Sequence, residues 1–181
     1  MQDEVSLTTA IINSPIGELI AGADDRGIHF LEFHKSEKSA IDSGKLFSTE
    51  EKSNKHLEKL KKQLEEYFSG KRKSFELKLS PDGTEFQKKV WDELLKVQFG
   101  KTRTYKEQSL ALNNLKAIRA VASANGANPI AIIIPCHRII GSDGSLTGYA
   151  GGMWRKKWLL EFEQSHSSGE KQLSLLDAFE K

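Results

Sequence analysis

A chain of 181 residues, 38% hydrophobic and 29% charged, is long enough to bury a core as one domain or as two small ones. Its formal net charge of +2 excludes the strongly basic character of a protein that coats nucleic acid nonspecifically, so any nucleic-acid contact has to be local. One cysteine and five scattered histidines exclude an internal disulfide and offer no zinc-binding spacing. No run approaches the roughly 20 apolar residues of a membrane span, and the N-terminus MQDEVSLTT has no signal-peptide character, so a soluble, intracellular protein is the expectation.

In chain order, residues 5–34 read as short strands of a small antiparallel sheet, broken by turn signals at Asn13-Ser14-Pro15, Gly17 and Asp24-Asp25-Arg26-Gly27. Residues 35–54 lack periodic apolar positions and read as a solvated loop. Leu57, Leu60, Leu64 and Phe68 recur at spacings of three and four, which predicts an amphipathic helix from about Glu51 to Phe68, ended by Ser69-Gly70. A strand-like FELKLS follows, and the turn Ser80-Pro81-Asp82-Gly83 marks a domain boundary.

Beyond that turn, Thr84 with Gln87 forms a capping box for a helix whose apolar face is Phe86, Val90, Leu94 and Val97, with Gly100 closing the region. Thr104 with Glu107 repeats the box before a short helix through Ala111. Asn113-Asn114 precede another helix from Leu115 to Asn125, stopped by Gly126, and two short helices so tightly joined predict a helix-turn-helix. The β-branched run Ile130–Ile134 reads as an extended buried segment leading into Pro135. After the turn Ser142-Asp143-Gly144, a last helix from about Gly152 to Gln164 carries Trp154, Trp158 and Phe162 at helical spacing, and the remainder reads as a tail.

The single cysteine, Cys136, follows a buried run and a proline, where a side chain is held by a core and still faces a cleft. A lone thiol either packs inertly or reacts. Reaction needs a base or positive charge to favour the thiolate, and the adjacent His137 is the candidate. Consecutive strand residues point to opposite faces, so contact between the two requires a bend or a bridging water. Glu163 on the last helix is either a solvated helix glutamate or the third group that fixes the imidazole tautomer.

IPCHRIIG, with GTEFQKKVWDELLKVQFGKTRTY upstream and LTGYAGGMWRKKWLLEFE downstream, resembles the O6-alkylguanine-DNA alkyltransferase family. The weaker patterns SPIGELIAGADDRGIHFLEF and QLEEYFSGKRKSFEL resemble its N-terminal domain. The resemblance implies a ribonuclease-H-like α/β domain over 1–80, a mainly α, winged-helix-like DNA-binding domain over 81–165, and a flexible tail over 166–181. It implies cofactor-free repair of double-stranded DNA by irreversible, stoichiometric transfer of the alkyl group of O6-alkylguanine to Cys136.

By the same resemblance His137 acts on the thiol through a bound water, Glu163 completes the relay, Asn128 holds the active-site turn, and Tyr105 donates to the leaving group. The damaged nucleotide is rotated out of the duplex and Arg119 enters the stack in its place. Small residues of the same helix, Ala120 and Ser123, allow close approach to the minor groove, while Lys101, Arg103, Lys106 and Lys116 meet phosphates. Gly148, Tyr149, Ala150, Gly151 and Gly152 line the alkyl pocket. Ala150 replaces the serine of some members, Val97-Gln98-Phe99-Gly100 replaces a proline-containing turn, and Ile118 is bulkier than the usual alanine.

A metal site known in some members needs cysteines that this chain lacks, so none is carried over. The expected state is a monomer, cytoplasmic, or nuclear in a eukaryote. In the tail, Gln172, Leu173, Leu175 and Leu176 resemble the short peptide by which bacterial proteins bind the replication sliding clamp; an amphipathic or disordered tail is the other reading. Two rival functions share these residues: a Cys-His-Glu thiol hydrolase, which leaves the helix-turn-helix unexplained, and a lesion-binding protein without chemistry.

Overall fold

The computed structural model describes residues 7–34, 47–48 and 53–167. The chain divides into two compact units, one of residues 1–82 with 129–131, the other of residues 83–128 with 132–181. The first contains a small sheet, the second is mainly helical.

In the first unit, β1 (Leu7–Ile12), β2 (Leu19–Asp24) and β3 (Gly27–Phe33) form an antiparallel meander, and β4 (Phe47–Ser48) adds in parallel beside β1. The turns fall at the two places where Gly17 and Gly27 supply positive φ. Helix α1 (Lys55–Phe68) packs on β1, β2 and β3. It starts at Asn54, whose side chain accepts from the His56 and Leu57 amides, so the helix begins later than the apolar spacing suggested. Its buried face is Leu57, Leu60, Gln63, Leu64 and Tyr67, with Phe68 only half-buried. The expected strand FELKLS reduces to a single parallel bridge, Leu79 to Ile28, held by Ile28 N donating to Lys78 O (2.9 Å) and Ser80 N to Ile28 O (2.7 Å).

The second unit begins with α2 (Glu85–Leu95), and the Thr84–Gln87 capping box is complete in both directions. Val90, Trp91, Leu94 and Val97 are buried, whereas Phe86 is 39% exposed and does not belong to that face. Strand β5 (Arg103–Thr104) leads into α3 (Tyr105–Ala111), again with a complete capping box, Thr104 to Glu107. Asn113, at φ 55, makes the tight turn, a conformation asparagine tolerates better than most residues. A 3-10 turn (Leu115–Ala117) then opens α4 (Ile118–Gly126), and Gly126 is the last helical residue rather than the stop. Buried amides fasten the pair: Gln108 Nε2 donates to Asn125 Oδ1 (3.0 Å) and Asn125 Nδ2 to Gln108 Oε1 (2.7 Å). Trp91 Nε1 donates to Ala124 O (2.9 Å), tying α2 to α4.

The four isoleucines of the run Ile130–Ile134 are buried, but the run is not extended. Ile130 bridges Leu31, and residues 131–133 turn, with Ile132 at φ 70 and wholly buried. A β-branched residue in that region is strained and persists only where packing demands it. A 3-10 turn (Cys136–Arg138), β6 (Ile139–Ile140, parallel to β5) and α5 (Met153–His166) complete the unit. The tryptophan spacing of α5 does not mark its buried face. Trp154 is 56% exposed, and the buried side chains are Lys156, Leu159, Leu160 and Glu163.

Candidate active site

The bend required between Cys136 and His137 is the 3-10 turn itself, closed by Arg138 N donating to Pro135 O (3.0 Å). Strand alternation therefore does not separate the two side chains. Asn128, just after α4, donates from Nδ2 to Ile134 O (2.7 Å) and to Cys136 Sγ (3.2 Å). One amide thus holds both the backbone before the cysteine and the sulfur. Cys136 is half-buried. Desolvation pushes its thiol up from the ordinary value, while the Asn128 bond and the Lys156 charge oppose that rise.

His137 and Glu163 are both wholly buried, and His137 Nε2 lies 2.9 Å from Glu163 Oε1. Glu163 is therefore not a solvated helix residue. Burial would raise its pKa, but His137 and Arg138 more than offset this and hold the carboxyl far below the usual range. Since an ionised carboxylate only accepts, Nε2 carries the proton and Nδ1 presents its lone pair. Nδ1 has no hydrogen-bond partner among the described residues. Burial lowers the imidazole pKa, with Arg138 and Lys156 acting in the same direction against Glu163, so the ring is neutral near pH 7.

Two residues that spacing did not single out complete the charge pattern. Arg138 donates from Nε to Glu163 Oε2 (2.9 Å), from Nη2 to Glu163 Oε1 (2.9 Å) and from Nη1 to Val97 O (2.5 Å). Gly100 N adds a fourth bond to Glu163 Oε2 (3.1 Å). Gly100 sits at φ 71, where a Cβ would approach the Ser167 Cβ to 2.6 Å, so only glycine brings its amide to the carboxylate without strain. Lys156, wholly buried, donates to the carbonyls of Ile139 (2.5 Å), Thr147 (2.9 Å) and Gly148 (3.4 Å). Desolvation brings its pKa down to about 8, with the Cys136 charge opposing. In the sequence, Lys156 is marked only by its register with Leu159 and Leu160 on the buried face of α5.

Tyr105 is half-buried at the start of α3 and donates to Thr147 O (2.9 Å), a carbonyl that Lys156 also binds. Tyr149 stands edge-on to the His137 ring, 6.5 Å between centroids. Gly148 and Gly152 both have positive φ, and Gly148, Ala150 and Gly152 frame Tyr149 in the loop before α5. Lys116, Arg119, Ala120 and Ser123 are all exposed, and their spacing of three, one and three places them on one face leading into and along α4. Lys101 and Lys106 are exposed; Arg103 is half-buried and paired with Glu93 (3.3 Å). Among the described residues, no group of three or more His, Cys, Asp or Glu side chains is placed to hold a metal ion, and no helix is long and apolar enough to cross a membrane.

A cysteine beside a buried, ion-paired imidazole on a mainly helical unit, preceded by a small-sheet unit, defines a class of two-domain protein organised around one thiol. The family described as 6-O-methylguanine DNA methyltransferase matches on both sides of the division: its ribonuclease-like domain over residues 7–81 and its DNA-binding domain over residues 85–165. The chain is 47% identical over 156 residues to the methylated-DNA–protein-cysteine methyltransferase of Methanosarcina barkeri, covering 86% of this chain and 96% of that one. It is 42% identical over 159 residues to the constitutive enzyme of that name from Bacillus subtilis, covering 87% and 94%. The crystal structure of Mycobacterium tuberculosis OGT in complex with DNA superposes with a TM-score of 0.79 at 38% identity, covering 88% of this chain and 94% of that one. The chain belongs to the 6-O-methylguanine DNA methyltransferase family.

Proposed function

We propose that this protein repairs DNA by direct transfer of an alkyl group from O6-alkylguanine to Cys136, each molecule acting once. Family membership supports the reaction. The observation that carries the assignment of atoms is the buried His137–Glu163 pair, with the Nδ1 lone pair unsatisfied, next to the one cysteine of the chain.

The thiol proton passes to His137 Nδ1 through a bound water, and the thiolate attacks the alkyl carbon in line with the departing oxygen. The S–C bond forms as the C–O6 bond breaks, and the electron pair returns to the guanine ring. Tyr105 supplies the proton that lets guanine leave neutral, exchanging its present acceptor, Thr147 O, for the base. The product is a thioether, which has no hydrolysable acyl bond. Asn128 holds the sulfur, and Gly148, Tyr149, Ala150 and Gly151 border the base and its alkyl group.

The exposed face bearing Lys116, Arg119, Ala120 and Ser123 is assigned to the minor groove, with Arg119 filling the gap left by the rotated nucleotide. Helices α3 and α4 are the helix-turn-helix. Lys101, Lys106 and Arg103 meet phosphates, Arg103 leaving Glu93 to do so. We further assign a ribonuclease-H-like domain to residues 1–80 and a winged-helix-like domain to 81–165, in a cytoplasmic monomer; of the tail expected over 166–181, His166 ends α5 and residues 168–181 lie outside the described residues. The sliding-clamp peptide, Gln172, Leu173, Leu175 and Leu176, lies outside the described residues and rests on its sequence alone.

The test is mass spectrometry of the intact protein and its peptides after mixing with an equimolar duplex carrying one O6-methylguanine. One methyl group on the peptide bearing Cys136, saturating at one per protein and absent from Cys136→Ala, is the expected result. An unmodified protein that still binds the duplex tightly would replace this reading with lesion binding alone, and multiple turnovers would replace it with hydrolysis.

A further inference from the structure

Among the described residues, four hydrogen bonds to the Glu163 carboxylate stand out, and three of them come from only two neighbours, His137 and Arg138. Oxygen Oε1 is shared by His137 Nε2 and Arg138 Nη2; Oε2 is shared by Arg138 Nε and Gly100 N. A glutamate carboxylate turns readily about its last torsion. Here the planar guanidinium grips it along two parallel bonds, and the third guanidinium bond, to Val97 O, anchors the grip to backbone. The imidazole depends on that orientation, because which ring nitrogen is protonated follows from where its acceptor lies.

We infer that Arg138 is a positioning residue of this site: its two-pronged bond to Glu163, braced on the Val97 carbonyl, keeps the carboxylate where it holds His137 as the Nε2–H tautomer with Nδ1 unprotonated. The inference rests on the reading of His137 as the base in alkyl transfer. Arg138 is buried and touches neither substrate nor sulfur in this role. The other charged or titratable groups around the imidazole are Glu163 and Lys156 on α5, with the Tyr149 ring edge-on to it and Cys136 its neighbour in the chain. Among these, the guanidinium fork is the group that bonds both carboxylate oxygens at once. A mere counter-charge for a buried glutamate needs no fork, and lysine would supply it equally well.

Arg138→Lys separates the two roles, since it keeps the charge and removes the fork. The full chain, labelled with nitrogen-15 in histidine, is examined by NMR, with the His137 signals assigned by their loss in His137→Gln. Single-turnover methyl transfer from an O6-methylguanine duplex is timed on the same samples. In the wild-type protein Nε2 carries the proton and Nδ1 does not. In Arg138→Lys the tautomers mix, methyl transfer slows by about a hundredfold, and duplex affinity stays within about twofold. If Arg138→Lys does not fold, Arg138→Gln, which keeps a planar donor but loses the two-pronged bond while Glu163 stays intact, carries the same measurement with the same expected mixing.

An Nδ1–H tautomer in the wild-type protein overturns the inference. So does a folded Arg138→Lys that transfers at the wild-type rate, or one that is slow with its tautomer unchanged. A wild-type protein that shows the expected tautomer yet takes no methyl group refutes the transfer reading instead, and the NMR response of the variant then judges the role of Arg138 by itself.

Discussion

Removing the carboxylate of Glu163 leaves a positive guanidinium inside the second unit with nothing to balance it. In Glu163→Ala, Arg138 loses two bonds, Gly100 N loses its side-chain acceptor and His137 Nε2 loses its partner, all at buried or half-buried positions. Breaking a buried pair by deleting one member costs about 3–5 kcal/mol. With a urea dependence of about 2 kcal/mol per molar, the midpoint drops by about 2 M. All three tryptophans lie in the second unit, and Trp91 is buried against α4, so tryptophan fluorescence in urea reports unfolding of that unit selectively. Arg138→Met with Glu163→Gln removes both charges and is expected to recover all but about 1–2 kcal/mol. A loss below about 1 kcal/mol in Glu163→Ala would falsify the view that this ion pair anchors α5 to the turn bearing the cysteine.

Lys156 makes stability depend on pH in the alkaline range. Its pKa falls from 10.5 unfolded to about 8 folded, so between those values the unfolded chain binds more protons and stability rises with pH; neutral Lys156→Met, compared with wild type by urea unfolding from pH 7 to 10.5, should lack that rise of about 3 kcal/mol in unfolding free energy. In the first unit, a Cβ on Gly27, at φ 142, meets Lys78 O at 2.5 Å, so Gly27→Ala costs about 2–3 kcal/mol; unchanged hydrogen exchange at the Ile28 and Ser80 amides would contradict this. Gln108→Leu strands the buried Asn125 amide and lowers stability by about 2 kcal/mol, whereas adding Asn125→Leu restores most of it; equal losses in the single and double variants would show that the two amides are not coupled.

The parts of the site that are legible in the sequence are those whose signals are local. The capping boxes at Thr84 and Thr104 start α2 and α3 where the residues say they should. Cys136-His137 stands out for the same reason, two chemistry-bearing residues side by side after Pro135. What escaped depends on contacts between distant residues. Lys156 and Arg138 are charged, and charge ordinarily marks a surface; their burial is made possible by backbone carbonyls and by Glu163, which no short window of sequence brings together. The tryptophans of α5 misled for the converse reason: Trp154 is large and apolar but sits at a helix start, exposed, with the Arg155 guanidinium 4.6 Å above its ring. The run Ile130–Ile134 has the composition of a strand, yet packing imposes a turn at Ile132 that composition argues against.

Residues 129–131 belong to the first unit although about fifty residues of the second precede them. Leu31 N donates to Pro129 O (2.9 Å), and Ala131 N donates to Leu31 O (2.8 Å). On a ribosome, therefore, the outer edge of β3 stays unpaired along this stretch long after its own strand has emerged. The first unit closes that edge only when the segment leading to Cys136 leaves the exit tunnel. Synthesis thus couples the completion of the early sheet to the arrival of the reactive thiol, and a nascent chain stalled before residue 129 would expose an open strand to any chaperone that recognises one.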